Sequence, residues 1–389
     1  MAVLRLRPAL KRYAWGDARR SPELLGIPED GEPVAEAWFG AHPQGPAEAF
    51  DAAGGKPLDA RVAAGAEALL GARVAERYGG LPYLVKLLAA ARPLSIQVHP
   101  DPAQAAAGFA REEAAGIARD ARERCYRDDR AKPELLVALG PFDALVGFRS
   151  AAEIATSLAP GGLLRDLGGL LPGPEPETLV RAYFAMDAGS RGAALESALA
   201  RARARGGDED ARWLRAAHEA LGSPATPDPG LAFVLWLKRV RLRPGEGLFL
   251  PAGVPHAYLR GAGIEVMASS DNVLRAGLTS KHVDPAELLR VVRFDAPAPA
   301  VLTAPAAGEA YPTPAPEFAL TPCPEELVRE AQGPETLLFL GPPGVEARLE
   351  TGAGDLRLAR GHGVLIPHGE AYRAIAPAGS LWLVRVGAC

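Results

Sequence analysis

The segment 94–99 places polar side chains at every second position. Because neighbouring side chains on a strand point to opposite faces, Ser95, Gln97 and His99 would share one face. An imidazole two residues away from an amide can direct both groups to one metal ion. A strand with one solvated face would show the same alternation, so this segment alone leaves a metal site and a wet surface both open.

A second imidazole, that of His256, follows two prolines that restrict the backbone just before it. The preceding segment 241–253 aligns without gaps to segment 357–369, and both contain G-x-G, three apolar residues and P-x-G. This pattern is typical of strands that turn back at the rim of a jelly-roll barrel, and it predicts two barrels. The counterpart of His256 is Tyr372, so only the first barrel would bind a metal through this position.

Carboxylates and cations lie close together in two further segments. In Lys132-Pro133-Glu134 the proline favours an extended Lys132, and the motif alone would also fit a surface salt bridge. Glu265 lies between apolar residues, where a buried carboxylate must be paired or desolvation favours its protonated form. Proton transfer by Glu265 and a structural ion pair between Glu265 and Arg275 are both open at this stage.

Arg275 and Lys281 are six positions apart in a predicted loop. A planar guanidinium suits a planar anionic intermediate, whereas a compact ammonium suits a phosphate. Only six of the 43 basic residues are lysine, which suggests that lysine is kept where an ammonium is needed. The two residues are therefore candidates for binding two different anionic groups.

The elements that must position these residues are mainly strands. Short apolar stretches separated by turn-forming segments predict strands and turns throughout residues 1–100. The spacing of apolar residues predicts a helix over 102–124 and several alanine-rich helices over 150–221. The predicted fold class is therefore mainly β, with two jelly-roll barrels and an inserted α-helical domain.

This organisation predicts three domains. The metal-binding barrel is formed by residues 1–148 and 232–300, and the helical insertion by residues 149–231. Residues 301–389 form the second barrel, which is predicted to be metal-free. A length of 389 residues is compatible with two or three domains.

Composition narrows the class of protein. The 43 basic and 47 acidic side chains are too balanced to mark a nucleic-acid binder or a protein of anionic membranes. Cys125, Cys323 and Cys389 are far apart and form no C-x-x-C pair, which favours a reducing compartment. No apolar run reaches the length of about 18 residues that a membrane span needs. We therefore expect a soluble cytoplasmic protein.

Several long motifs resemble those of type I mannose-6-phosphate isomerases, which are zinc-dependent cupin enzymes. The matching stretches are YAWGD at 13–17, AEAWFGAHP at 35–43, LVKLLAAARPLSIQVHPD at 84–101, KPELLVAL at 132–139 and LPAGVPHAYLRGAGIEVMASSDNVLRAGLTSKHVD at 250–284. One departure is Val254, where some relatives have asparagine, and it affects no expected ligand. The C-terminal region is similar only in architecture.

The resemblance implies a set of site residues. It implies that one zinc ion per chain is bound by Gln97, His99, Glu134 and His256. It assigns the role of the catalytic arginine to Arg275. It places in the substrate pocket Ser95, Lys86, Lys132, Tyr258, Glu265 and Lys281.

The activity implied by the resemblance is the interconversion of mannose 6-phosphate and fructose 6-phosphate through an enediol. Glu265 is the candidate base, and a zinc-bound hydroxide and a relay through His99 stay open as alternatives. The expected partner is a small sugar phosphate, without nucleic acid or membrane, and the expected state is a monomer or a weak homo-oligomer. A non-catalytic sugar-phosphate-binding protein and an iron oxygenase are alternatives, although an amide ligand suits neither a structural zinc site nor an oxygenase.

Overall fold

The computed structural model describes residues 3–51 and 54–387 of the chain, so Cys389 lies outside the described residues. In these two ranges strands outnumber helices. The strands are β1 (Leu4–Arg7), β2 (Ala9–Lys11), β3 (Glu36–Phe39), β4 (Glu48–Asp51), β5 (Gly54–Pro57), β6 (Tyr83–Ala90), β7 (Ile96–Val98), β8 (Glu134–Ala138), β9 (Phe142–Phe148), β10 (Leu237–Leu242), β11 (Gly247–Leu250), β12 (His256–Ala268), β13 (Leu274–Gly277), β14 (Val301–Leu302), β15 (Ala319–Pro322), β16 (Glu326–Glu330), β17 (Glu335–Phe339), β18 (Ala347–Thr351), β19 (Gly354–Leu358), β20 (His362–Ile366), β21 (Ala371–Ile375) and β22 (Leu381–Arg385).

Helices occur in every third of the chain. They are α1 (Arg20–Leu25), α2 (Leu58–Leu70), α3 (Ala72–Tyr78), α4 (Pro102–Ala114), α5 (Ala151–Leu158), α6 (Arg165–Gly168), α7 (Pro176–Ala185), α8 (Ala188–Ala204), α9 (Glu209–Ala220), α10 (Phe233–Trp236) and α11 (Pro285–Val291). None of those in the described ranges is long and apolar enough to cross a membrane. The mainly β composition is as predicted.

Two local predictions about helices are wrong. The first hundred residues contain α1, α2 and α3 as well as strands, because the alanine- and leucine-rich stretch before Gly71 has high helix propensity. The predicted helix over 102–124 ends at Ala114. Beyond that point the chain turns back, and the Glu112 carboxylate accepts backbone hydrogen bonds from Cys125 at 3.0 Å and Tyr126 at 2.8 Å.

An 11-stranded antiparallel sheet carries the predicted metal ligands. Its long strand β12 pairs with β6, β7, β8 and β9, and β7 also pairs with β13. Strand interiors here are buried on both faces, as in β6, where all eight residues are buried. The predicted metal ligands therefore lie on or directly beside strands that are packed on both faces.

The C-terminal strands form a second set of sheets. A seven-stranded sheet has the order β15-β22-β17-β20-β1-β4-β5, and a four-stranded sheet has the order β16-β21-β18-β19. The first strand of the chain thus pairs with the C-terminal strand β20, with Leu4 opposite Leu365. We call strands β15–β22 the C-terminal β-region.

Six helices lie between β9 and β10, within residues 151–236, all of which the structure describes. Their apolar faces form one core that includes Trp236, Tyr183 and Leu214. A salt-bridge cluster joins this segment to the strands, because Asp210 accepts two bonds from Arg149 and one from Arg239, each at 2.9 Å.

We expect Asp210→Asn to lower the free energy of unfolding by about 1–2 kcal/mol without changing the specific activity. Although burial alone raises it, Arg149 and Arg239 hold the pKa of Asp210 below its ordinary value. The ion pairs therefore stabilise the fold above the unfolded carboxyl pKa of about 4, and this stabilisation is lost as pH falls through the lower folded value. Urea unfolding of both proteins at neutral and acidic pH measures this, and a difference that does not shrink in acid would contradict it.

Candidate active site

Three buried side chains meet in one group, two of them at the starts of strands and the third directly after a strand. The ligand atoms of His99, Glu134 and His256 all lie within 4.8 Å of one another. The Nε2 atom of His99 is 3.3 Å from Glu134 Oε1, and the Nε2 atom of His256 is 3.5 Å from Glu134 Oε2. Two imidazoles and a carboxylate at these distances could hold one divalent metal ion.

Both imidazoles are oriented by a bond at the other ring nitrogen. His99 Nδ1 is 2.8 Å from the carbonyl oxygen of Asn272, and His256 Nδ1 is 3.0 Å from that of Val254. Such bonds place the proton on Nδ1 and leave Nε2 as a lone-pair donor. The Nε2 atom of His99 is buried and has no hydrogen-bond partner in the described part of the chain, which fits a group that binds a metal.

Strand pairing explains why these residues meet. His256 begins β12, where it lies opposite Gln97 of β7, and Glu134 begins β8, where it lies opposite Met267 further along β12. Gln97 is therefore next to the metal group, and its amide nitrogen is 3.5 Å from Ser95 Oγ. The register thus brings Gln97 beside His256.

A cation lies beside the carboxylate of this group. Lys132 Nζ is 2.9 Å from Glu134 Oε1, and both residues are buried. Although burial alone raises it, Lys132 and His99 hold the pKa of Glu134 well below its ordinary range. Burial lowers the pKa of His99. A charged carboxylate and neutral imidazoles are the forms that bind metal. The interpretation of Lys132-Pro133-Glu134 as a surface salt bridge is wrong, because the pair is buried.

Glu265 has partners, but not the one considered from the sequence. It accepts hydrogen bonds from Lys86 Nζ at 2.9 Å and from the Tyr258 hydroxyl at 2.7 Å, and it forms no ion pair with Arg275 in the described structure. Lys86 Nζ also lies 3.7 Å from Glu36. Although burial alone lowers it, the Glu265 and Glu36 carboxylates raise the pKa of Lys86, so this lysine stays an ammonium.

Arg275 and Lys281 belong to a group of cations that repel one another. Burial and the neighbouring Arg127 lower the pKa of Arg275, and burial, Arg275 and Arg127 lower the pKa of Lys281. The Nε atom of Arg275 is buried and has no hydrogen-bond partner among the described residues. Such unbalanced positive charge would be stabilised by an anion.

Three polar residues near these groups were not predicted from the sequence. Arg127 lies in a run of mixed charges, Arg-Asp-Asp-Arg at 127–130, which is typical of a solvated surface, so nothing local distinguished it. Asp271 Oδ1 lies 3.3 Å from His42 Nε2. Although burial alone raises it, the hydrogen bond and charge of His42 hold the pKa of Asp271 below its ordinary value. His42 lies in the motif AEAWFGAHP, and Asp271 lies in SSDN. Their place in these family motifs was the one sequence signal that could have marked them as site residues.

Comparison with known proteins identifies the family. Residues 3–151 match the model of the phosphomannose isomerase type I catalytic domain. The chain is 41% identical to the mannose-6-phosphate isomerase of Escherichia coli over 321 residues, which cover 80% of this chain and 81% of that protein. It is 32% identical to the Homo sapiens enzyme over 334 residues, covering 76% and 74% of the two chains.

Solved structures superimpose on this chain over its whole length. A mannose 6-phosphate isomerase from Salmonella typhimurium, bound to fructose 6-phosphate and zinc, superimposes with a TM-score of 0.87 at 35% identity and covers 100% of both chains. A variant of the Salmonella typhimurium enzyme described as H99A gives a TM-score of 0.88 at the same identity and coverage. The chain therefore belongs to the type I mannose-6-phosphate isomerase family.

Proposed function

We propose that this protein interconverts mannose 6-phosphate and fructose 6-phosphate as a zinc-dependent aldose–ketose isomerase. The observation that carries the proposal is the buried group of His99, Glu134 and His256, which lies on the same sheet as the Lys86–Glu265 pair. Family membership and the relative bound to fructose 6-phosphate and zinc support the same activity.

The domain organisation follows from the sequence repeat and the order of the elements. We infer two cupin-type jelly-roll barrels, formed by residues 1–148 with 232–300 and by residues 301–389, and a helical domain inserted at 149–231. Helices α5–α9 lie inside the proposed insertion. A monomer or weak homo-oligomer in the cytoplasm is the expected state of the protein.

The proposed zinc site contains one ion per chain, bound by Gln97, His99, Glu134 and His256. When bound, zinc supplies a Lewis acid that polarises an oxygen of the sugar. The orphaned Nε2 atom of His99 and the position of Gln97 opposite His256 support this ligand set. Lys132 keeps the carboxylate of Glu134 charged, and it also offers an ammonium to the substrate.

Proton transfer between C1 and C2 needs a group that accepts a proton and returns it. We assign this role to Glu265, with Lys86 and Tyr258 as the donors that hold its carboxylate. Both donors contact carboxylate oxygens, so they fix the position of the proposed base. Ser95 and Tyr258 complete the proposed lining of the substrate pocket.

Negative charge develops on the sugar oxygens as the proton leaves C2. Arg275 is the proposed catalytic arginine, because its buried guanidinium has an unbonded Nε–H that could face this charge. Lys281 and Arg127 are the proposed phosphate-binding cations. A phosphate would relieve the repulsion between these three cations.

The two cationic roles can be separated by kinetics. Substrate phosphate is charged throughout the reaction, so Lys281→Ala should mainly raise KM. The enediolate exists only during the reaction, so Arg275→Ala should lower kcat by about 10²–10³-fold with the metal content intact. Arg275→Lys should restore little of this loss, because an ammonium cannot reproduce the planar guanidinium.

Measuring kcat, KM and melting temperature on these variants tests the assignment. An effect of Arg275→Ala on KM alone would contradict the catalytic role. Arg275 lies in strand β13 and not in the predicted loop, so a fall in melting temperature that tracks the loss of activity would indicate that it only stabilises this strand.

The proposed function itself is tested by coupled conversion of mannose 6-phosphate to fructose 6-phosphate, with and without a chelator. We expect turnover that a chelator abolishes and that added zinc restores. Binding of the sugar phosphate without turnover, with zinc present, would instead favour a non-catalytic binding protein.

A further inference from the structure

The C-terminal β-region has a glutamate at the position that Glu134 occupies beside the metal group. Glu134 lies opposite Leu250 where β8 pairs with β11, and Glu335 lies opposite Ile366 where β17 pairs with β20. Leu250 and Ile366 are counterparts in the repeat of segments 241–253 and 357–369. Each glutamate also follows a proline.

Two more positions correspond through strand pairing. Tyr372 is the counterpart of His256 in the repeat, since it follows segment 357–369 by the same number of residues. His256 lies opposite Gln97, and Tyr372 lies opposite Arg329. Arg329 and Tyr372 therefore take the places of an expected amide ligand and an expected imidazole ligand.

These replacements change the chemistry of the position. Arg329 donates to both oxygens of Glu335, from Nη2 at 2.7 Å and from Nε at 3.2 Å, and the Tyr372 hydroxyl donates to Oε2 at 2.5 Å. A buried charge such as that of Glu335 needs a partner, and here the partner is the guanidinium of Arg329. At the corresponding position, Glu134 would have a metal ion as its partner. Ala331, two residues after Arg329 as His99 is after Gln97, offers no ligand.

A cavity of about 510 Å³ opens beside Glu335, between the junction of α2 with α3 and the C-terminal strands. Its charged or titratable lining consists of Arg73, Arg77, Tyr78, Arg329, Arg385, Glu335 and His368. The one carboxylate of this lining is already bonded to Arg329. The rest of the wall includes apolar residues such as Leu70, Val74 and Val386.

Arg385 is the cation best placed for a ligand. It lies opposite Glu335 where β17 pairs with β22, on the strand face shared with the buried Leu381 and Leu383. It donates one bond of 3.3 Å to the carbonyl of Val386 and forms no ion pair with any residue in the ranges 3–51 and 54–387. Its guanidinium retains donors that could bind an acidic group bidentately.

The wall opposite Arg385 is fixed by close packing. Gly71 has a φ of +81°, and a Cβ atom there would lie 2.8 Å from the ring of His368. The backbone N–H of His368 donates to the carbonyl of Leu69 at 3.0 Å. These contacts hold the end of α2 against the C-terminal β-region, so the cavity does not need to be formed by a ligand.

We propose that this cavity binds a small organic anion, with its phosphate or carboxylate group on Arg385 and an apolar body against Leu70 and Val74. The site lies between the junction of α2 with α3 and the C-terminal β-region, and it is distinct from the proposed isomerase site. It lies at the positions that correspond, through the sequence repeat, to the metal group, and it has arginine where that group would have a metal.

The test is calorimetric titration of the zinc-loaded full chain with phenyl phosphate and, separately, with benzoate, in saturating fructose 6-phosphate. The sugar phosphate occupies the isomerase site, so we expect one binding event per chain to survive with at least one of the two probes. Arg385→Gln should weaken that binding at least 10-fold and retain isomerase activity. Which probe binds distinguishes a phosphate site from a carboxylate site.

A matched control is Arg357→Gln, which removes an exposed arginine from β19 of the same region and should leave the binding unchanged. Arg73→Gln on the exposed face of α3 is a second test if Arg385→Gln does not fold, and it should also weaken binding. The proposal is overturned if neither probe binds in saturating fructose 6-phosphate, or if Arg385→Gln and Arg73→Gln both bind as the unchanged protein does.

Discussion

Replacing His256 with alanine is expected to reduce the zinc content from about one ion per chain to nearly none and to lower isomerase activity by ~10³-fold or more. The imidazole belongs to the buried group of three side chains that could hold a metal ion, and its Nδ1 is already bonded to the carbonyl of Val254. A metal that polarises a sugar oxygen contributes several kcal/mol to the transition state, which corresponds to a loss of this size. Metal analysis after desalting, together with the coupled assay, measures both effects.

Tyr372→Phe is the matched control, because Tyr372 is the counterpart of His256 in the C-terminal β-region. It removes the hydroxyl that donates to Glu335, so it should affect stability and leave zinc content unchanged. Finding two ions per chain in the unchanged protein would contradict the assignment. One ion retained after His256→Ala would contradict it as well.

The metal group could be predicted because its signals are local. The alternation around Gln97 and His99, the prolines before His256 and the Pro-Glu step at Glu134 each restrict one short segment of backbone. Bringing the three segments together depends on the pairing of β7 and β8 with β12, which no single segment reveals. The family motifs supplied that long-range information.

Other features depend on contacts between distant parts of the chain and were not predicted. Strand β1 pairs with β20, although Leu4 and Leu365 stand at opposite ends of the sequence. Arg127 has no distinctive local pattern, and only its electrostatic effect on Arg275 and Lys281 marks it. The repeat predicted that Tyr372 replaces His256. The carboxylate of Glu335, which accepts a hydrogen bond from Tyr372, lies outside the repeat, and only the strand register shows that it corresponds to Glu134.

Replacing Glu265 with glutamine is expected to lower kcat by ~10²–10⁴-fold, the usual effect of removing a general base. Glutamine has nearly the same shape and keeps one of the two acceptor oxygens that Lys86 and Tyr258 use, but it cannot take a proton from carbon. The same variant should exchange the C2 proton of mannose 6-phosphate with deuterated solvent far more slowly. Near-normal exchange would assign proton transfer to another group.

A structural role for Glu265 makes a different prediction, because the glutamine variant leaves the buried Lys86 ammonium with Glu36 alone, at 3.7 Å. An unpaired buried charge is costly, so activity could fall because the site is destabilised. The double variant Lys86→Met/Glu265→Gln removes both charges and should recover melting temperature. Tyr258→Phe is the milder control, since it deletes one bond to the same carboxylate and leaves its charge. If Glu265 carries the proton, the double variant regains stability and stays inactive, whereas recovery of activity together with stability would show that its charge serves only to balance Lys86.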